Sequence, residues 1–326
     1  MSFKPTSFHV LERQLTQNHI VWTYPTINED LKALIVQICY YQGFEATGLY
    51  YYVRIDNQWV YIKQFISKND KPAAIIVTSH YYQPNLYEII CDLLVTSYSN
   101  EKNFVHLVQI YLNIYITNGV SVENNFINLS CFPWKTDVKG IIKHLGIEII
   151  LVYNALLLKK QILVYHPNIE ELQESLASLT RLISFRKPED FLQPFIRTVT
   201  ELRKTSKYYL IGTTNKSLIN QKNVCEIIVD LESKFVDYSP NPRDFELCYL
   251  HKEVAQFLLQ ISESEETEKR AIESISNKTS EILKLLNKLK NNEGKIEIED
   301  IGNKKNNKNL VKFLISLAKA ENILVI

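Results

Sequence analysis

Residues 147–172 are the part of this chain that most constrains its fold. The segment, IEIILVYNALLLKKQILVYHPNIEEL, carries an apolar run, two lysines, a short second apolar run and the capped start of a helix. This order is typical of a helix, a strand and a second helix in a layered α/β domain. We therefore expect the surrounding elements of the second half to cover this unit.

The apolar run 147–158 is nearly devoid of polar side chains. As a helix it would be buried on most of its faces, although its β-branched start makes a strand the alternative. Lys159 and Lys160 suit the C-terminal end of such a helix, where positive charge is favourable. The next residues, 161–165, have the pattern of a fully buried strand.

A second helix is predicted directly after this strand. His166 and Pro167 end the strand, and Asn168 with Glu171 three residues later predicts a capping box. Apolar residues at helical spacing then continue through 169–183, so this helix should pack back on the sheet.

Chain length and composition favour two globular domains. The chain has 326 residues, of which 46% are hydrophobic and 22% charged, with 37 basic and 36 acidic side chains. This near balance gives no overall field that would attract nucleic acid. The five cysteines are scattered and never form CxxC, so we expect buried thiols rather than disulfides or zinc ligands. They are Cys39, Cys91, Cys131, Cys225 and Cys248.

The apolar pattern predicts a cytoplasmic protein. The first ten residues lack the apolar core of a secretory signal. The longest apolar stretch, 146–158, is shorter than the roughly 20 residues that a membrane span needs. We expect the chain to reach membranes only through partners.

The first third of the chain has the pattern of a small α+β module. We expect the hairpin at 49–65 to bury one face, because apolar and polar residues alternate along it. The expected elements are strands 10–15 and 20–24, a helix capped by Asn28, strands 49–55, 59–65 and 73–78, and helices beginning at Pro84 and Phe104.

The remaining chain is predicted to complete an α/β module and end in helices. A long charged helix at 263–290 is interpreted as an amphipathic cover rather than a coiled coil, since its apolar seam is short. The other expected elements are an irregular segment 185–206, a strand 208–211 closed by Gly212, strands 225–231 and 235–238, a helix from Pro242, a linker 291–309 and a final helix 310–324.

These patterns predict four parts of the chain. They are an N-terminal α+β module at 1–118, an irregular linker at 119–136, a central α/β module at 137–262 and C-terminal helices at 263–326.

No catalytic, cofactor or metal constellation emerges from the sequence. Residues 212–217 end like a phosphate-binding loop but lack its glycines, so a turn is favoured. His251 is predicted to be a surface histidine, and Asp230 to stabilise a hairpin or a cap. His166 is the histidine best placed for a ligand, because it leaves the end of a buried strand. A structural or partner-contacting role is favoured for it over catalysis, and we do not expect a conventional enzyme.

Motifs in the second half resemble the central module of the DENN family. The order of elements is that of the family: a buried helix, a basic pair, a strand, a covering helix, a YLIG strand and an IVDL strand. Three segments more narrowly resemble short longin–DENN proteins, the DENN domain-containing protein 10 family, and the resemblance covers nearly the full chain. They are IVWTYPT at 20–26, ALLLKKQILVYHPNIE at 155–170 and LCYLHKEVAQFLLQ at 247–260.

The resemblance implies a longin-like N-terminal module followed by a doubly wound α/β DENN module with C-terminal helices. It also implies binding to a Rab-family GTPase and guanine-nucleotide exchange, at the surface of endosomes and in particular late endosomes. Exchange requires tighter binding of the nucleotide-free GTPase than of the loaded form, and it needs no acid, base or cofactor.

An alternative implied by the resemblance is a scaffold subunit of a Commander-like endosomal recycling assembly that binds coiled-coil partners. Tyr50, Tyr52 and Trp59 motivate it, because they alternate onto a face that would suit an interface if exposed. Ordinary strand packing is the competing interpretation. A small-molecule enzyme at the sheet edge is a third possibility, and it would require a polar pocket.

Six residues are predicted as partner contacts from their positions alone. Two lie on an early strand, one at the module junction and three around the central strand. They are Trp22, Tyr24, Trp134, Lys159, Lys160 and His166.

Overall fold

The computed structural model describes residues 5–14, 17–41, 48–67, 71–101, 103–117, 119–122, 125–128, 135–221, 225–238, 247–303 and 307–325. The chain divides into two compact units, Met1–Lys135 and Thr136–Ile326. One unit has an antiparallel sheet and the other a mixed sheet.

Unit 1 is built on a five-stranded antiparallel sheet with the strand order β2-β1-β5-β4-β3. This arrangement fits the expected longin-like module. Its elements are β1 (Ser7–Gln14), β2 (Gln17–Tyr24), α1 (Glu29–Tyr41), β3 (Tyr50–Ile55), β4 (Gln58–Ile66), β5 (Pro72–Ser79), α2 (Pro84–Glu101) and α3 (Phe104–Thr117).

Both faces of the unit 1 sheet are covered by helices. Tyr61 of β4 stacks on Tyr87 of α2, with ring centroids 4.3 Å apart. Tyr51 of β3 points to the opposite face, where it contacts Cys39 of α1. The prediction that the β3–β4 hairpin buries only one face was therefore wrong. Tyrosines and long side chains on both faces are enclosed because each face has its own helix layer.

Strands also occur where an irregular linker was expected. Gly119–Val122 (β6) and Asn125–Asn128 (β7) form a two-stranded antiparallel sheet. The many asparagines of 119–136 obscured the short apolar alternation that favours these strands.

Unit 2 contains a mixed five-stranded sheet with the order β12-β11-β8-β10-β9. β8 to β11 run parallel, and β12 is antiparallel at one edge. The elements are α4 (Val138–Leu145), α5 (Ile149–Leu157), β8 (Ile162–Tyr165), α6 (Ile169–Thr180), α7 (Pro188–Phe191), β9 (Leu192–Ile196), α8 (Val199–Lys204), β10 (Leu210–Thr213), α9 (Lys216–Ile219), β11 (Ile227–Asp230), β12 (Phe235–Tyr238), α10 (Tyr249–Glu263), α11 (Glu268–Asn287), α12 (Ile298–Asn303) and α13 (Lys308–Ala320).

Helices cover both faces of the unit 2 sheet. Ile211 of β10 packs with Leu202 of α8 and Leu218 of α9. The next residue, Gly212, faces the other side and lies under Leu176 of α6. The expected order of a longin-like module and a helix-covered α/β module is therefore confirmed.

Gly212 lies inside β10 rather than closing it, which corrects the prediction. A Cβ atom at this position would lie 2.5 Å from Leu176 Cδ1 and 2.5 Å from the Pro194 carbonyl oxygen. The residue therefore permits close approach of α6 and of β9. Strand β9 itself lies within the predicted irregular segment 185–206, and its edge position explains how it accommodates Pro194.

Segment 147–158 is helical, so the alternative of a strand there was wrong. Gly146 ends α4 with a positive φ of 57°, and a turn of 3₁₀ helix, Gly146–Glu148, leads into α5. The apolar helical run Val138–Leu157 has 20 residues, which is longer than the 13-residue stretch 146–158 expected from the sequence. By length and composition alone it could cross a membrane. However, 61% of its most apolar window is buried, and α10 and α11 pack against it as they would against a core helix.

The C-terminal helices also cover unit 2, with shifted bounds. The helix predicted from Pro242 begins at Tyr249 in the part that the structure describes, whereas Pro242 and Phe245 lie outside the described residues. The amphipathic cover expected at 263–290 is α11, which buries Ile275 and Ile282. The supposed linker 291–309 contains α12, and its Ile296 forms a β-bridge with Leu324.

A candidate partner-binding surface at the carboxyl edge of the parallel sheet

Three parallel strands of unit 2 end at the same edge. Tyr165 of β8 is in register with Thr213 of β10 and with Asp230 of β11. The residues that follow these strands therefore share one surface, which we call the carboxyl-edge surface. Neighbouring residues at α4 and on α6 adjoin them. The carboxyl-edge surface comprises Asp137, His144, Tyr165, His166, Glu171, Glu174, Ser175, Lys216, Leu231 and Glu232. Ligands of open α/β sheets bind at this kind of edge.

His166 organises the entry into α6. The Asn168 side chain accepts hydrogen bonds from the Glu170 and Glu171 backbone N–H groups at 2.8 and 3.2 Å. The Asn168 N–H donates to His166 Nδ1 at 3.2 Å, and His166 Nε2 lies 3.4 Å from Glu171 Oε2. The predicted cap residue is confirmed, but the capping box is wrong in detail. His166 takes the backbone N–H that Glu171 was expected to bind.

A pocket of about 280 Å³ adjoins His166. Its second histidine, His144, donates from Nε2 to the Leu231 carbonyl oxygen at 2.7 Å, which fixes the orientation of the ring. Three carboxylates, two serine hydroxyls and two apolar side chains complete the wall. The lining residues are Asp137, Gly140, Ile141, His144, His166, Glu171, Glu174, Ser175, Ser178 and Leu231.

Beyond the pocket, the same edge carries an exposed ion pair. Lys216 Nζ lies 2.8 Å from Glu232 Oε2, and Tyr165 donates to that oxygen at 3.5 Å. Burial and Glu232 raise the pKa of Tyr165. Asp230 Oδ1 accepts from the Glu232 and Ser233 backbone N–H groups at 3.0 and 3.1 Å. Its predicted role in the hairpin turn is confirmed.

The structure separates the three contacts predicted around β8. Lys159 and Lys160 precede the strand, whereas His166 follows it. Lys159, with φ of 53°, donates to the Ala320 carbonyl oxygen at the end of α13, and Lys160 Nζ lies 3.8 Å from Glu226 Oε1. These side chains therefore belong to opposite edges of the sheet.

The contacts predicted in the first half lie on β2 of unit 1. Trp22 is half-buried and stacks on Phe104, with centroids 4.7 Å apart. Tyr24 is half-buried and meets Tyr111 edge-on at 5.7 Å. Trp134 lies outside the described residues. Partner contact by these residues stays a prediction.

Tyr50, Tyr52 and Trp59 are buried, so the supposed interface face does not exist. Tyr52 and Tyr82 share a hydrogen bond at 3.0 Å, and Trp59 packs on Tyr82 with centroids 4.6 Å apart. The competing interpretation, strand packing, is confirmed for these three side chains.

Two buried histidines were not identified correctly from the sequence. His251, predicted to lie on the surface, is buried beside Phe313, and burial lowers its pKa to about 4. Its Nδ1 lies 3.2 Å from Cys248 Sγ. The position of His251 three residues before Val254, on the apolar stripe of α10, was a signal of burial.

His9 has a similar environment in unit 1. Its Nε2 lies 2.9 Å from Ser7 Oγ and its Nδ1 3.3 Å from Thr23 Oγ1, while Ser7 Oγ bonds Thr78 Oγ1 at 2.6 Å. Burial, and then the charge of Lys32, lower its pKa to about 4. Ser7–His9 and Cys248–His251 have the residue types of nucleophile–base pairs, but all four residues are buried. We interpret both pairs as structural.

Within the described ranges, no cluster of three or more His, Cys, Asp or Glu side chains is arranged to hold a metal ion. The carboxyl-edge surface offers charged groups, hydrogen-bonding groups and a small pocket.

Comparison with known proteins connects both units to one group of relatives. The family model described as SPA, stabilization of polarity axis, matches residues 135–240. DENN domain-containing protein 10 of Dictyostelium discoideum is 26% identical, covering 93% of each chain. The protein of that name from Danio rerio is 25% identical over 98% of each chain, and the one from Homo sapiens is 26% identical over 80% of this chain and 78% of its own.

Proposed function

We propose that this chain, whose resemblance to the DENN domain-containing protein 10 family is confirmed along both units, binds a Rab-family GTPase and promotes guanine-nucleotide exchange. The observation that carries the proposal is similarity over 80–98% of the chain, together with the expected succession of an antiparallel and a mainly parallel sheet. DENN-domain proteins generally act as such regulators of membrane traffic.

Exchange can be driven by binding alone. A protein that binds the nucleotide-free GTPase more tightly than the loaded form shifts the population toward the empty state. Linkage requires that nucleotide binding be weakened by the same factor. The described residues need only offer a surface that fits one state of the GTPase, which is consistent with the absence of catalytic geometry among them.

We assign the GTPase to the carboxyl-edge surface of unit 2. This surface combines a pocket beside His166 with carboxylates of Glu171 and Glu174 and the exposed pair of Lys216 with Glu232. Charged groups around a recessed, mainly polar pocket favour specific and rapid protein association.

The direct test is release of labelled GDP from a panel of purified Rab GTPases. We expect acceleration for at least one Rab and stable binding of its nucleotide-free form. If no Rab in the panel shows either accelerated release or binding, the proposal is wrong. Binding of a Rab without accelerated release of GDP would show that the protein is a Rab-binding adaptor and that the exchange part of the proposal is wrong.

The proposed surface is tested by charge reversal. Glu174→Lys changes an exposed side chain of the pocket and should reduce Rab binding roughly tenfold, or about 1.4 kcal/mol. Glu253→Lys makes the same charge change on exposed α10 and serves as the control. Equal effects of the two variants would exclude this surface.

The scaffold alternative loses its motivation because Tyr50, Tyr52 and Trp59 are buried. Affinity purification distinguishes the functions, since a stoichiometric coiled-coil subunit without a Rab would favour the scaffold.

We further propose that the protein is cytoplasmic and associates with late endosomes through its GTPase. Fluorescence microscopy with and without depletion of that GTPase tests this location.

A further inference from the structure

A second pocket lies at the amino edge of the unit 2 sheet, opposite the carboxyl-edge surface. Its volume is about 440 Å³, within the range of sites for small ligands. We call it the amino-edge pocket. Its lining residues are Lys159, Gln161, Phe185, Arg186, Asp190, Ser206, Lys207, Tyr209 and Glu321.

Arg186 is the fixed part of this pocket, because its side chain is only 9% exposed. Nη1 donates to the Leu156 carbonyl oxygen at 2.6 Å and to the Tyr209 hydroxyl at 3.0 Å, and Nη2 donates to the Leu157 carbonyl oxygen at 2.8 Å. These contacts hold the guanidinium at the C-terminal end of α5. Arginine presents its donors in a rigid fork that matches carboxylates and phosphates.

The remaining contact of Arg186 is made with the chain's own C-terminal segment. Nη2 donates to Glu321 Oε1, and Lys159 Nζ donates to the neighbouring Ala320 carbonyl oxygen. Glu321 directly follows α13, so its carboxylate occupies the anion position beside Arg186 from within the same chain.

The charges of the lining favour an external anion once Glu321 leaves. Lys159, Arg186 and Lys207 are cationic, whereas Asp190 and Glu321 are anionic. Without Glu321, three cations would face one carboxylate. A phosphate group carries more charge than a carboxylate and accepts paired hydrogen bonds from arginine.

We propose that the amino-edge pocket binds a phosphate-bearing ligand through Arg186, Lys159 and Lys207, and that Glu321 competes with this ligand as an internal anion. The phenyl ring of Phe185 and the ring of Tyr209 supply an apolar wall beside the phosphate position. Lys160 takes no part, because it faces Glu226 outside the lining.

Soluble and membrane-bound phosphates share this chemistry, and two measurements separate them. Calorimetric titration of the full chain with inositol trisphosphate detects a soluble ligand. Flotation with phosphatidylcholine vesicles, with and without a phosphoinositide, detects a lipid headgroup. Binding in either measurement supports the site and identifies the source. Absence of binding in both overturns the proposal.

Exposed lysines provide variants that spare the buried arginine. Lys159→Asn with Lys207→Gln should weaken binding tenfold or more, and asparagine is chosen because it tolerates the positive φ at 159. Lys143→Gln with Lys252→Gln removes the same charge from exposed α4 and α10 positions and should leave binding unchanged. Equal binding by the two double variants would refute the assignment.

The competition is tested with Glu321→Gln. Removing the carboxylate should tighten phosphate binding roughly tenfold, the equivalent of about 1.4 kcal/mol. An unchanged affinity would show that Glu321 does not occupy the ligand position. Release of GDP from Rab proteins is measured separately, so failure of this proposal leaves the proposed exchange function intact.

Discussion

The cores around the two five-stranded sheets are stabilised by different interactions. In unit 1, tyrosine hydroxyls inside the protein have fixed polar partners. Tyr61 donates to the Tyr81 carbonyl oxygen at 2.7 Å, and Tyr87 donates to Ser79 Oγ at 2.6 Å. In unit 2, short aliphatic strands lie so close to a helix that Gly212 is required. Directional bonds therefore specify the first core, and close packing specifies the second.

This difference predicts which changes each unit tolerates. Unit 1 should be most sensitive to loss of large rings, and unit 2 to any added volume beneath α6. A chain with two units can unfold in more than one transition, so a single free energy of unfolding is not defined. Hydrogen exchange of peptides from each unit measures the stability of that unit separately.

Loss of a buried ring in unit 1 should have the largest effect. Trp59 is 1% exposed and packs on Tyr82, so Trp59→Ala should lower the stability of unit 1 by about 3–5 kcal/mol. Faster exchange of β3–β5 peptides, with β8–β11 unchanged, is the expected result. Phe235→Ala removes a ring that is 53% exposed and should change stability by less than about 0.5 kcal/mol.

Acidification should destabilise both units in the same pH window. In the folded protein, burial lowers the pKa of His9 and of His251 from 6.5 to about 4. Because the unfolded chain takes up these protons first, stability present above pH 6.5 is lost as the pH falls toward 4. The loss is at most about 3 kcal/mol for each histidine.

Variants separate these histidines from the carboxylates that also titrate on acidification. His251→Phe should reduce the pH dependence in unit 2 only, and His9→Gln should reduce it in unit 1 only. Hydrogen exchange between pH 4 and 7 provides the measurement. An unchanged slope in either variant would contradict the assignment of that histidine.

Added volume under α6 should affect only unit 2. Gly212→Ala places a Cβ atom 2.5 Å from Leu176 Cδ1 and from the Pro194 carbonyl oxygen, so it should cost about 1–3 kcal/mol. Strands β1–β5 contain no glycine, and their peptides provide the internal control. If hydrogen exchange becomes faster in β1–β5, or does not become faster in β9 and β10, the predicted close contact of Gly212 with α6 and β9 is wrong.

Helix caps should have the smallest effects and should be similar in the two units. Asn28 accepts from the Leu31 N–H at 2.8 Å and caps α1, as Asn168 caps α6. Asn28→Ala and Asn168→Ala should each cost about 1 kcal/mol, while serine at either position should preserve most of the cap. The thermal shift of each variant measures the loss of stability. If alanine costs no more stability than serine at the same position, the capping role is contradicted.

The sequence predicted elements whose signals are local. Asn28 and Asn168 precede apolar helical stripes, and both cap helices in the structure. The buried strand after Lys160 was equally clear, because four apolar residues follow one another there.

Features that depend on tertiary position were missed. Strand β9 contains Pro194, which argues against a central strand and is acceptable only because β9 lies at an edge. His251 was placed on the surface because no second histidine lies one helical turn away, whereas Phe313 of a distant helix covers it. The pockets at the two edges of the parallel sheet combine residues far apart in the chain, and periodicity does not reveal such neighbours.

The buried contact between α5 and α11 has a consequence for synthesis of the protein. Tyr153 and Thr279 share a hydrogen bond of 2.8 Å across 126 positions of sequence. At the usual speed of translation, Tyr153 is synthesised roughly 6 to 25 s before Thr279. During that interval α5 lacks its hydrogen-bonding partner on α11. Chaperones that bind nascent apolar segments would therefore have this interval in which to bind α5.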